Sequence, residues 1–160
     1  MKTDFKTFEQ LMQFAEENPG ALQRVFSTYS LGPIDIAAAG TETPTVEFDQ
    51  NSYFVWLRST TSADLAGAAQ TESSRVIPLV DVQLQDGGSD RDIFKTALRA
   101  DDVAGIGQIP FVLPTPYLFV PNSTLNAELN NFSVVNYANF RFNLIGYRVF
   151  IYGSQLPVAQ

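Results

Sequence analysis

Between Arg75 and Gln85 the chain alternates in period two through Val80, Val82 and Leu84, and then runs into Asp86-Gly87-Gly88. Alternation with that period places every second side chain on one face of a strand, and a terminal Asp-Gly is a hairpin signal. The same grammar recurs from Ile34 onward. Thr45–Phe48 reads as a short strand, and Ser52–Ser59 as an apolar strand holding the only tryptophan, Trp56, which the surrounding run YFVWL places in the interior. Tyr117–Val120 and Thr124–Asn130 read as two further strands separated by Pro121-Asn122. Pro110, Pro114 and Pro116 keep the segment before them out of any central strand, because proline has no N–H to give a ladder.

In Asn139–Tyr152 the apolar phase changes parity. Phe140, Phe142 and Leu144 share one face, whereas Tyr147, Val149 and Ile151 fall on the other, and a β-bulge at Gly146 would reconcile them. About seven short strands with turn signals between them define the expected class. It is mainly β, an antiparallel β-sandwich of jelly-roll-like character, with a short N-terminal helical arm. Residues 1–32 are expected to form the arm and residues 33–160 the sandwich. Thr60–Ser74, rich in small polar residues, reads as an exposed loop, and Asp92–Ala100 as one or two amphipathic turns.

The arm is read from Phe5, Phe8, Leu11, Met12 and Ala15 at helical spacing, with Thr3 or Thr7 as cap and Gln10 three residues after Thr7. Asn18-Pro19-Gly20 ends the helix, and a short helical or extended piece follows at Ala21–Ser27. Such a stripe must be covered by its own domain or by a neighbour. The break at Asn18-Pro19-Gly20 favours an arm that docks on a neighbouring subunit.

Several functions lose their chemistry. The 160 residues include no cysteine and no histidine, which removes thiolate chemistry, the commonest zinc ligands and the commonest general base. A net charge of −7 argues against tracking nucleic-acid phosphates. No apolar run spans a bilayer, and the first ten residues lack the apolar stretch of a secretory signal. The sequons at Asn122 and Asn131 are therefore expected to be empty. Gly105 and Gly107 run into proline and make no dinucleotide loop. Asp86, Asp90 and Asp92 lack calcium-loop spacing and read as a solvated turn. Glu47 and Asp49 share a strand face with nothing to complement them as a glycosidase pair. The expectation is a protein without catalytic residues, cofactor or metal.

Charge is unevenly spread. Residues 103–160 carry only Glu128, Arg141 and Arg148, and they hold asparagine at 122, 126, 130, 131, 136, 139 and 143 instead. An uncharged polar surface is cheap to desolvate, which suits a partner-covered face.

The stretch from Gly105 to Phe150 resembles a pattern in small structural proteins of tailed bacteriophages. A proline-punctuated apolar approach (Pro110, Pro114, Pro116) leads to an apolar strand and a Ser/Thr turn. An alternating strand ending in Asn follows, and the unit closes on Gly146-Tyr147-Arg148. The N-terminal helix lies outside the pattern. The resemblance implies a non-enzymatic β-sandwich virion component assembled in the host cytoplasm. A capsid decoration or cement protein is preferred over a collar or head–tail connector. Its implied partners are further copies of itself and other virion proteins, the major capsid protein or the portal and collar, without direct contact to nucleic acid or membrane. The expected contact residues are Phe5, Phe8, Leu11, Met12, Tyr117, Tyr137, Tyr147 and Arg148. The alternative from another class is a carbohydrate- or cell-surface-binding sandwich, in which Tyr53, Trp56, Tyr117, Tyr137 and Tyr147 would stack on sugar.

Overall fold

The computed structural model describes residues 4–67 and 75–151. Two antiparallel sheets face each other. In the first, β1 (Leu22–Ile36) pairs with β11 (Tyr137–Ile151), which pairs with β4 (Tyr53–Leu65). The far edge of β4 is shared by β5 (Arg75–Val76) and β9 (Phe111–Phe119). In the second sheet β10 (Thr124–Asn131) lies between β6 (Val80–Asp86) and the two short strands β2 (Thr41–Glu42) and β3 (Thr45–Glu47). The outer edge of β6 carries β7 (Arg91–Asp92) and β8 (Leu98–Arg99). Successive long strands alternate between sheets: β4 and β9 in the first, β6 and β10 in the second, with β11 back in the first.

Alternation decides the core. Val80, Val82 and Leu84 of β6 and Leu125, Ala127 and Leu129 of β10 point inward, against Phe54, Trp56, Phe119, Phe140, Phe142 and Leu144 of the first sheet. Phe48 stacks on Phe119 with ring centroids 4.4 Å apart, and Tyr29 meets Phe54 edge-on at 4.8 Å. Trp56 is only 1% exposed, and its indole N–H donates to the Arg58 carbonyl at 2.8 Å. The interior placement expected for it from the YFVWL run holds.

A second core lies on the outer face of the first sheet. Phe5, Leu11 and Phe14 of the N-terminal segment pack on Tyr53, Val55, Leu118, Val149 and Ile151. The helix α1 (Phe8–Glu17) starts at Thr7, whose hydroxyl accepts from the Gln10 N–H at 3.2 Å, and Gln10 reaches back to the Lys6 N–H at 2.9 Å. Asn18 closes it through bonds from its N–H and side-chain amide to the Phe14 carbonyl. The short N-terminal helix is present as expected, but its stripe is covered by the chain's own sheet, and the expectation that it docks on a neighbouring subunit is corrected. The boundary at residues 32 and 33 is corrected too, because it falls inside β1, which runs unbroken in register with β11 from Leu22 to Leu31.

This second core explains the parity change in the last strand. Phe142 and Leu144 face the sandwich interior, and Val149 and Ile151 face α1 on the opposite side. β11 keeps its phase there; what changes is which face is covered. A register shift does occur at Gly146, but the extra residue is Leu57 on β4, where pairing passes from Ile145↔Arg58 to Gly146↔Trp56. A Cβ on Gly146 would overlap the Val55 carbonyl oxygen, so the close approach requires glycine. A further bulge lies in β11 itself at Asn139, which sits at φ 52° and lets Tyr137 and Phe140 both point inward.

Two loop readings also change. Thr60–Leu65 continue β4, with Ser59, Thr61 and Ala63 buried; of the expected loop, residues 68–74 lie outside the described residues. The segment read as amphipathic turns instead supplies β7 and β8, and the short helix α2 (Ala100–Val103) follows it. The proline-rich segment is an edge strand, as its missing donors require. Its pairing jumps from Trp56↔Tyr117 to Arg58↔Val112, leaving Leu113 to Pro116 out of the ladder.

Candidate functional site

The asparagines that replace charge in the last third do their work inside the chain. Asn143 spans three strands, accepting from the Ser30 hydroxyl at 2.8 Å and donating to the Thr60 hydroxyl at 3.1 Å. Asn126 and Asn130 accept from Thr45 and Thr41 across the β10 edge. Buried Asn131 donates to the carbonyls of Ile36, Ala37 and Val135 and accepts from Ser133, so it ties the β1–β2 loop to the β10–β11 turn. Asn136 accepts from the Ala38 N–H at 2.8 Å, and Asn139 donates to Asp64 at 3.4 Å. Only Asn122 keeps its side-chain amide free of an intrachain partner among the described residues.

The eight expected contact residues are not brought together on one surface. Phe5 and Leu11 are buried under α1, with Phe8 and Met12 half-buried beside them. Tyr137 is buried, and its hydroxyl accepts from the Leu79 N–H at 3.1 Å. Tyr117 is half-buried, donating to the Asp86 carboxylate at 2.8 Å; burial first, then that carboxylate, pushes its phenol pKa up. Asp86 is itself buried and also accepts from the Gly88 N–H at 2.9 Å, so the turn is pinned from within at its first residue, whereas Asp90 and Asp92 are exposed, as a solvated turn requires. Tyr147 lies half-buried on the outer face of the first sheet, with the Arg24 guanidinium 5.4 Å from its ring centre; burial raises its phenol pKa. Arg148 points the other way and is held by Ser27 at 2.7 Å and Asp49 at 2.6 Å. Of the aromatic set considered for sugar stacking, Tyr53, Trp56 and Tyr137 are interior.

The exposed apolar residues are different ones. At one end of the sandwich the segment before β6 and the β10–β11 turn meet through the Phe132 N–H bond to the Leu79 carbonyl at 3.2 Å. There Phe132 and Ile77 are each 68% exposed and Val134 94%, with Leu79 and Val135 also exposed. No charged residue lies within 76–80 or 131–137. The sequence signal was present in Phe132-Ser133-Val134-Val135, three apolar residues in a turn directly after a complete strand. A smaller group, Ile106, Ile109 and Val112, is exposed at the start of β9.

At the opposite end, the β3–β4 loop, the β9–β10 turn and the end of β11 line a cleft of about 650 Å³. Its walls are cross-tied. The Phe48 N–H donates to the Ser123 carbonyl and the Asn122 N–H to the Asp49 carbonyl, both at 3.0 Å, and Arg148 fixes Asp49 from β11. Among the described residues no cluster of three or more Asp, Glu, His or Cys side chains is placed to hold a metal ion. No helix among them is long and apolar enough to cross a membrane. No protein-family model and no curated protein matches the chain.

Proposed function

We propose that this chain is a non-enzymatic structural component of a tailed-phage virion, a capsid decoration protein that assembles with copies of itself and with the shell beneath. The observation that carries this reading is the uncharged apolar end built from Ile77, Leu79, Phe132, Val134 and Val135. Side chains of this kind, clustered and rigidly joined by a backbone hydrogen bond, mark a surface that gains free energy by being covered. The resemblance of the Gly105–Phe150 stretch to phage structural proteins supports the kind of partner, and the sandwich supports the mechanical role. The contact surface belongs to the apolar end and not to the aromatic residues of the core.

The test is Val134→Asp alone and together with Phe132→Asp. Both side chains point into solvent in the monomer, so the thermal midpoint of the dilute protein should stay within a few degrees of the parent. Incorporation into purified particles should fall by about tenfold or more, since a carboxylate in a desolvated contact costs several kcal/mol. Immunogold labelling on the head distinguishes decoration from a collar position. Normal incorporation of the folded double variant at either place would refute the reading.

A further inference from the structure

We infer that the cleft at the polar end is a binding site for a neutral, hydroxyl-rich ligand of the saccharide class. The inference stands on the cleft alone and holds whatever the apolar end docks against.

The first reason is where the free polar groups lie. Six of the seven asparagines in the last third, Asn126, Asn130, Asn131, Asn136, Asn139 and Asn143, each make at least one intrachain hydrogen bond through the side-chain amide. The seventh, Asn122, lines this cleft beside Gln50 and Asn51, whose amides likewise have no intrachain partner among the described residues. A primary amide presents an acceptor and two donors side by side, which matches a hydroxyl that must both give and receive a hydrogen bond. Three such groups and the Glu47 carboxylate converge on one concavity of about 650 Å³, large enough for a small saccharide.

The second reason is charge. Among the described residues Arg148 is the only cation lining the cleft, and it is already committed to Ser27 and Asp49. The uncommitted charge at the site is the Glu47 carboxylate, so a phosphate, sulfate or sialate would meet repulsion without a free counter-charge. Neutral sugars do not. The Phe150 ring, braced by the Arg148 guanidinium 5.5 Å from its centre, supplies the apolar flank that the C–H face of a pyranose requires.

The third reason is preorganisation. The turn bearing Asn122 is held at φ 57° and tied to Asp49, and the neighbouring Ser123 hydroxyl donates to the Val120 carbonyl at 2.6 Å. Groups fixed before binding lose little conformational freedom on binding.

The experiment is a titration of the isotope-labelled chain, followed by amide chemical shifts, with maltose, cellobiose, mannobiose and chitobiose, and with glucose 6-phosphate as the charged control. At least one neutral disaccharide should shift resonances confined to 47–51, 122–124 and 148–150. Gln50→Ala and Asn122→Gly, the latter keeping the positive φ, should each weaken that ligand about tenfold, roughly one hydrogen bond. Phe132→Asp, at the far end, should leave the binding unchanged. The inference is overturned if no neutral sugar shifts these resonances at millimolar concentration or if the shifts are scattered over the surface. Binding of the phosphorylated sugar alone, or undiminished affinity in both cleft variants, would overturn it equally.

Discussion

The backbone N–H of Phe5 donates to the hydroxyl of Tyr53 at 3.1 Å, and both residues are buried. This bond joins the chain just before α1 to the first residue of β4, alongside ring contacts from Phe5 to Phe14 and to Tyr53 at 5.0 and 5.8 Å. It is the point at which the N-terminal segment becomes part of the sandwich instead of an arm.

Tyr53→Phe should therefore destabilise the fold by about 1–3 kcal/mol, the cost of leaving a buried donor unmet. Burial raises the Tyr53 phenol, the Phe5 N–H opposes that shift, and Asp4 adds to it. A raised folded-state value means that the stabilisation is complete below the ordinary phenol pKa of about 10 and is lost as pH climbs through the folded value. Urea unfolding at neutral and alkaline pH should show a shallower alkaline decline in Tyr53→Phe than in the parent. Tyr29, Tyr117 and Tyr147, also raised mainly by burial, should sustain the remaining slope. Unchanged neutral stability would mean that this hydroxyl does not anchor the segment.

Gly146→Ala tests the register shift. The added methyl meets the Val55 carbonyl oxygen, which is main chain and cannot swing aside. A loss of about 4 kcal/mol or more, or failure to fold, is expected, well beyond the usual surface substitution. Gly107→Ala is the matched control, because nothing lies near its Cβ position. Equal chemical stability of the two variants would show that β4 and β11 do not approach as described.

Asn131→Asp tests the apolar end's scaffold. The amide group that donates to the Ile36, Ala37 and Val135 carbonyls would be replaced by an acceptor-only carboxylate. Near neutrality the cost should be about 3–5 kcal/mol, that of an uncompensated buried charge. Facing carbonyl oxygens, the introduced acid has its folded-state pKa raised, so stability relative to the parent recovers on acidification and is lost again as pH rises through that value. Denaturation midpoints at mildly acidic and neutral pH measure this. A pH-independent loss would assign the effect to packing.

Local pattern carried the sheet content a long way. Alternation in Val80–Gln85, the Thr7 cap with Gln10, and prolines 114 and 116 each act within a few residues, and each appears in the structure as read. What local pattern cannot state is which face of a strand will be covered, or by what. Phe142 and Val149 lie on one continuous strand, yet one meets the second sheet and the other meets α1, more than 120 residues away in the chain. The same limit hid the candidate surfaces. Composition alone shows seven asparagines in place of charges. Only the pairing of strands decides that Asn143 lies between Ser30 and Thr60 while Asn122 stands free beside Gln50 and Asn51. Tyr137 and Leu11 look like contact residues in sequence because they are large and apolar, and they are interior because the fold buries that surface first. Phe132 and Val134 stay outside because a two-sheet sandwich has ends, and a turn at an end has no second layer to cover it.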